Sequence, residues 1–187
     1  MKAVYFTEHG GPEVLQYGDL PEPIPSANEV KIKVRACALN RLDVYTRAGV
    51  RGTKMDLKEP HVLGADVSGE IVEVGSDVTK VSVGDRVVVN PRITCMQCTY
   101  CQSNQSEYCD KAGMVGSGKR GGYAEFAVVP ASSAFPIPTS LSYVQAASLP
   151  TVFMPSWNIL IRRSNLRPWE TALVPSASSG VGTAAIQ

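Results

Sequence analysis

Only two histidines, His9 and His61, stand in this chain of 187 residues, and neither has a partner at catalytic or metal-ligand spacing. Charge of one sign is equally scarce: 18 Lys and Arg face 17 Asp and Glu, interspersed, for a net charge of +1. That balance gives no basic footprint for nucleic acid or an anionic membrane surface, so neither is an expected partner. No apolar run approaches the roughly 20 residues of a membrane span, and the start "MKAVYFTEHGG" lacks the apolar core of a signal peptide. Repeats and low-complexity tracts are missing too. A reducing cytoplasm is the expected location, where clustered thiols favour metal over disulfides.

What remains is an ordinary globular composition, 44% hydrophobic with 16 Gly and 13 Pro, with room for one full domain and part of another. "KAVYF" and "EVKIKVRA" alternate apolar and polar residues at period two, while "GEIVEV" and "DRVVV" are β-branched runs between turn residues. Two more short strands are expected in "GGYAEFAVV" and "SAFPIP". The spacing predicts a closed or strongly bent antiparallel unit. From Ser142, a plausible N-cap, the apolar period moves toward 3.6 and is broken by Pro150 and Pro155, which predicts two short helices. "ETALVPSASSGVGTAAIQ" then reads as a strand, a small-residue turn and the beginning of a helix.

Four of the five cysteines fall within "CMQCTYCQSNQSEYC". Cys95, Cys98, Cys101 and Cys109 have the spacing C-x2-C-x2-C-x7-C, which lets four thiolates converge on one Zn²⁺ at about 2.3 Å each. Catalytic zinc keeps one position open, whereas four sulfurs close the shell, so this pattern points to a structural clamp. The same opening spacing occurs in iron–sulfur motifs, and a reduced loop without a role is the bland alternative. Zinc is the reading the spacing favours, because a lobe with little apolar core gains its folding energy from the ion. Cys37, alone in "VRACALN", reads as a small buried hydrophobe.

Taken with "GGPEVLQYGDLPEP", "ACALNRLDVYTRAG", "HVLGADVSGEIVEVGSDVTKVSVGDRVVV", "GGYAEFAVVP" and "PSASSGVG", the chain resembles the N-terminal part of a medium-chain dehydrogenase/reductase. This is the zinc alcohol dehydrogenase and quinone oxidoreductase superfamily. The resemblance implies a mainly β fold: a GroES-like β-barrel catalytic domain over 1–140 with a structural zinc lobe at 91–113. It implies that 141–187 holds connecting helices and the truncated start of an α/β Rossmann domain. One structural zinc per chain is implied, with NAD(P)H in the parent enzyme. The implied substrate is a small carbonyl, enone or quinone, bound in the cleft between the domains. The family also implies a homo-oligomer, formed mostly through the Rossmann domain.

Departures from the family pattern matter as much. The family's catalytic zinc is held at the places of Asn40, Ala65 and a position near "SLPTVF", and no thiol or imidazole stands at any of them. An amide oxygen plus Asp66 does not make the soft N/S shell of zinc, so the cleft is expected to be metal-free. Hydride transfer would then depend on positioning and on hydrogen-bond donors at the developing oxyanion, for which Asn40, Tyr45 and Thr151 are the candidates. Asn40 could equally cap the turn into "RLDVYTRAG", and Asp43 and Tyr45 could be ordinary helix residues. Asp66 could anchor groups near the cleft, though a satisfied structural carboxylate is the plainer reading. Arg41 stands where relatives often place a basic residue against the cofactor pyrophosphate.

In the dinucleotide turn, Gly180 and Gly182 are kept, while Ser176 and Ser179 stand where glycines are usual. The candidate cofactor contacts are therefore Asn40, Arg41, Ser179, Gly180 and Gly182. A Rossmann half-site needs further parallel strands and an acidic residue about 20 positions on, whereas this sequence stops at Gln187. The expectation is a fragment that is inert alone. A reading from another class is a zinc-stabilised, non-catalytic binding or assembly module that uses its exposed cleft face and terminal strand.

Overall fold

The computed structural model describes residues 1–103 and 105–151 and the backbone of 183–185. Its framework follows the alternation in the sequence. In β3 (Glu29–Ala38), Val30, Ile32 and Val34 point inward while Lys33 and Arg35 face solvent. β3 pairs antiparallel with β5 (Asp66–Val74), and β5 pairs with β6 (Arg86–Val89). β10 (Phe126–Pro130) and β11 (Ala134–Pro136) flank them, giving the order β10-β3-β5-β6-β11. Ile32, Ile71, Val67, Val87, Val89 and Val129 are fully enclosed between these strands. The enclosed residues are mostly β-branched, which suits a pleated, covered surface.

Two smaller sheets complete the fold. β1 (Lys2–Phe6) lies between β2 (Gln16–Asp19) and β4 (His61–Val62). β7 (Arg92–Ile93), β8 (Gly113–Val115) and β9 (Gly118–Lys119) form the other, beside the cysteine lobe. The N-terminal sheet is stitched to the large one by residues 123–125. Val4 N donates to Tyr123 O, Glu125 N to Lys2 O, and Val34 N to Glu125 O. Hydrogen-bond pairing thus distributes the described strands over three sheets linked by such stitches, rather than one closed ring.

Near its end β3 carries a bulge. Val34 pairs with Gly69 but Ala36 with Ser68, so Arg35 is the extra residue and Ala38 comes to face Asp66. Two residues on, Asn40 starts α1 (Arg41–Ala48), which closes at Gly49 in the left-handed region at φ +68°. α2 (Thr99–Gln102) lies within the cysteine lobe, and α3 (Tyr143–Ala147) begins at the expected cap, Ser142. α3 rests Ala147 on Ala36 and Ala38, and Ala146 on Val88 and Ile137.

The helix expected to begin within the last residues is not what forms. Thr183–Ala185 is a strand, β12, paired antiparallel with Ala36–Ala38 of β3. β10 pairs with β3 only as far as Lys33 and Glu125 takes Val34 N–H, so the edge from Ala36 on is left for this segment. The second expected short helix and the strand before the small-residue turn lie outside the described residues. No helix among the described residues is long and apolar enough to cross a membrane.

Candidate functional site

The cysteine lobe is assembled from short local pieces. Cys95 follows β7, Cys98 caps α2, Cys101 lies on α2, and Cys109 ends a turn of 3₁₀ helix over Ser106–Tyr108. Their four sulfur atoms all lie within 4.8 Å of one another, with Cys95 Sγ 3.5 Å from Cys109 Sγ and 3.9 Å from Cys101 Sγ. Ligand bonds of about 2.3 Å to a tetrahedral ion put neighbouring sulfurs about 3.8 Å apart, which these separations match. The five cysteines are free thiols, so no disulfide competes.

Backbone amides prepare the lobe for an ion. Cys98 N–H donates to Cys95 Sγ at 3.3 Å, and Cys95 N–H to Cys109 Sγ at 3.4 Å. Amides of Gln97 and Cys98 lower the Cys95 pKa to about 6, while burial pushes Cys101 up to about 12. Four thiolates packed this closely repel one another, and a divalent cation removes that repulsion. The donor set therefore fits a closed structural metal site. Arg92 braces it, donating from Nη2 to Glu107 O at 2.7 Å. Tyr100 and Tyr108 pack with ring centres 5.9 Å apart across the lobe.

A second constellation gathers residues from distant parts of the chain. Asp66, only 2% exposed, accepts from Asn40 Nδ2 at 3.2 Å and from Thr151 through both N–H (3.1 Å) and Oγ1 (2.6 Å). Asn40 is also the cap of α1: its Oδ1 accepts from Leu42 N, and its own N–H donates to Asp43 Oδ2 at 2.8 Å. Asp43, 6% exposed, further accepts from Gly64 N at 3.0 Å and Tyr123 OH at 2.8 Å. Gly64 sits at φ +100°, and a Cβ there would lie 2.7 Å from the Tyr123 ring, so only glycine fits this turn.

Burial sets the electrostatics here. It raises the pKa of Asp66, opposed by the Thr151 and Asn40 hydrogen bonds and aided by the charge of Asp43. Burial likewise raises Asp43, against the donors Asn40, Tyr123 and Gly64. The Tyr123 hydroxyl is held well above the phenolic range by burial and by Asp43, and the Cys37 thiol is pushed up by burial. Cys37, 1% exposed, is the buried small residue its surroundings suggested.

Delivery of Thr151 depends on the segment before it. Arg86 donates to Pro138 O and Leu141 O and lies 4.6 Å over the Tyr143 ring. Ser68 Oγ donates to Tyr143 O at 2.6 Å, so β5 and β6 fix the helix that leads to Thr151.

The structure thus joins two of the three cleft candidates, Asn40 and Thr151, through Asp66. Tyr45 takes no part in that network; its ring lies under Arg51 at 4.8 Å and its carbonyl accepts from Thr53 Oγ1 at 2.7 Å. Arg41 is exposed at the first turn of α1, and Ser179, Gly180 and Gly182 lie outside the described residues. The capping reading of Asn40 holds: its oxygen caps the helix, and its amide nitrogen serves Asp66. Asp43 and Tyr123 join the network although nothing local marks Tyr123; for Asp43 the sequence signal is the N-x-x-D spacing of a capping box in "NRLD". His9 and His61 have backbone partners, Met55 N donating to His9 Nε2 and His61 Nε2 donating to Gly116 O.

Residues 26–139 match the alcohol dehydrogenase GroES-like domain, and the chain belongs to that family, within the medium-chain dehydrogenase/reductase superfamily. Over the whole chain it is 35% identical to a quinone oxidoreductase of Mus musculus, covering 48% of that protein. An NAD-dependent alcohol dehydrogenase of known crystal structure superposes with a TM-score of 0.79 at 40% identity, over 90% of this chain and 48% of the other. A cobalt- and zinc-bound thermostable alcohol dehydrogenase from Pyrobaculum aerophilum gives 0.76 at 36% identity, over 88% of this chain and 49% of the other. The chain spans about half the length of the curated relatives it matches.

Proposed function

We propose that the protein is an NAD(P)H-dependent oxidoreductase of the alcohol dehydrogenase and quinone oxidoreductase type, acting on a small carbonyl, enone or quinone. This chain supplies the substrate-side domain, residues 1–140 with the metal lobe at 91–113, and 141–187 lead into the nucleotide-binding part. The observation that carries the reading is the Asn40–Asp66–Thr151 constellation. By resemblance, zinc-dependent relatives hold their catalytic ion at the places of Asn40, Ala65 and a position near "SLPTVF", at or beside these residues, yet the constellation is built from an amide, a carboxylate and a hydroxyl that already satisfy one another. Of these groups the Asn40 amide and the Thr151 hydroxyl carry hydrogens that can meet an oxyanion, and none supplies the nitrogen or sulfur of a zinc shell.

The lobe takes one zinc through Cys95, Cys98, Cys101 and Cys109. Bound there, the ion supplies folding energy and no open coordination position for substrate. The cofactor NAD(P)H supplies a hydride, and its contacts are proposed at Arg41, Asn40, Ser179, Gly180 and Gly182. This chain's own groups orient the acceptor: Asn40 keeps one amide hydrogen beyond the one it gives Asp66, and Tyr45 offers a hydroxyl from the same helix. Four free thiols held in one lobe suit a reducing compartment.

Elemental analysis of the purified chain tests the scheme, with one zinc per chain expected. Two would place a metal in the cleft and overturn its metal-free reading, and none would remove the lobe's role. Because the chain spans about half of its relatives' length, hydride transfer is proposed for the whole protein and inertness for the chain alone. Fluorescence titration with NADH and NADPH checks that division: micromolar binding by the 187 residues would show the cofactor site to be present in them.

A further inference from the structure

The hydrogens that surround Asp66 define a specific role for it. A carboxylate can only accept, and Asp66 receives one hydrogen from Asn40 Nδ2 and two from Thr151, through its N–H and its hydroxyl. A threonine hydroxyl owns a single hydrogen. With Asp66 ionised, that hydrogen is spent on Asp66 Oδ1 at 2.6 Å, and Thr151 has none for a substrate. With Asp66 protonated, the same contact reverses: Asp66 donates to Thr151 Oγ1, and the Thr151 hydrogen is released toward whatever lies outside. Asp66 is 2% exposed and cannot itself meet a substrate, whereas Thr151 is partly exposed and carries the hydroxyl hydrogen that Asp66 controls.

We propose that Asp66 and Thr151 form a proton-delivery pair for the reduction, with Thr151 as the catalytic residue that touches the substrate oxygen and Asp66 as the positioning residue that recharges it. The inference rests on the oxidoreductase reading given above. The hydride from NAD(P)H forms a new C–H bond at the electron-poor carbon, and the electron pair of the π bond moves to oxygen. That oxygen takes the Thr151 hydroxyl proton, and Thr151 Oγ1 takes the proton of Asp66. One hydride and one proton have then been added to the substrate, and Asp66 is left ionised, held by the N–H groups of Asn40 and Thr151. A proton from solvent resets it. The groups around Asp66 suit this cycle: Asp43 on α1 opposes a standing charge on it, the Cys37 thiol on β3 stays neutral, and Tyr123, before β10, stays a neutral phenol bonded to Asp43. None of the three bonds Asp66 through a side chain, so its three donated hydrogens come from Asn40 and Thr151 alone among the described residues.

Two measurements test the pair. The first needs no turnover: carboxyl-carbon NMR of the 187-residue chain across pH. Asp66 is expected to titrate above the ordinary carboxylate range of about 4, with the Thr151 side-chain resonances of wild type moving at the same midpoint; Thr151→Ser should keep that Asp66 midpoint, and Thr151→Val, lacking the hydroxyl, should raise it. An Asp66 step in the ordinary range, or Thr151 signals that ignore it, overturns the pair. The second is reduction of 1,4-benzoquinone and 2-cyclohexenone by NADPH and NADH with the full-length protein. Asp66→Asn and Thr151→Val are expected to lower kcat about 100-fold and Thr151→Ser only about threefold, the range of a lost and a kept general acid. Wild-type kcat falls as pH rises through the Asp66 step, because the neutral acid is the active form, and Asp66→Asn loses that limb. Hydride transfer with an unchanged pH limb in Asp66→Asn overturns the relay alone. Absence of hydride transfer to either acceptor from either cofactor overturns the oxidoreductase reading and the relay with it.

Discussion

The thiol lobe and the acid network are built in opposite ways. The lobe draws all four donors from fifteen consecutive residues, whereas the network draws Asn40, Asp43, Asp66, Tyr123 and Thr151 from four segments, with hydrogen-bonded partners up to 85 positions apart. A local site can be complete while owing little to the surrounding core, so it needs an ion to hold it. A dispersed site is held by the core itself, through the β3 bulge, the Gly64 turn and the seating of α3. Losing metal should therefore undo the first and spare the second.

The largest effect expected follows from that contrast. Removing the metal with a chelator, or changing Cys101→Ser, should abolish amide exchange protection across 91–113 while β3 and β5 keep theirs. A lobe that stays protected without metal would erase the distinction. Next comes Asp43→Ala, which leaves Gly64 N–H, Asn40 N–H and Tyr123 OH without their acceptor and should cost about 3 kcal/mol in denaturant unfolding. Its amide exchange should quicken at Gly64 and not at Cys98; a lobe-wide response would mean the two regions are coupled.

A smaller effect is set by pH. Burial lowers the pKa of His61, against the bond to Gly116 O that favours its charged form. A lowered imidazole contributes stability that is full above its ordinary value of about 6.5 and is lost as pH falls below it. Thermal melting of wild type should therefore decline on mild acidification, and His61→Gln, which keeps a donor for Gly116 O without the titration, should flatten that decline. Below this stands Ser142→Ala, worth about 1 kcal/mol through the lost cap on Gln145 N–H. Smallest is Asp19→Asn at the exposed Lys2 pair, where melting should not change measurably.

How much of this could be read in the sequence divides along the same line. Period two in "EVKIKVRA" and the β-branched run "GEIVEV" point to β3 and β5, Ser142 to the cap of α3, and the cysteine spacing to the lobe, because each signal is complete within a dozen or so residues. The network is different. Nothing within "GGYAEF" says that Tyr123 will reach Asp43, since that meeting depends on how residues 123–125 are stitched between β1 and β3. Asn40 and Thr151 entered only through resemblance, and their common partner Asp66 emerged from packing. The terminal segment differs from its local preference for a related reason: that preference is for helix, and the edge of β3, invisible in one dimension, takes it as a strand.

That stitch also has a mechanical meaning. Residues 123–125 are gripped by the first strand on one side and by β3 on the other, and the same stretch carries the hydroxyl that steadies Asp43. A pull on the amino-terminal strand would travel along it to the cap of α1, and from there to Asn40 and the acid it touches. The strand most remote in sequence from Thr151 is thereby yoked to it, and substitutions as far away as Val4 are placed to detune the cleft without ever entering it.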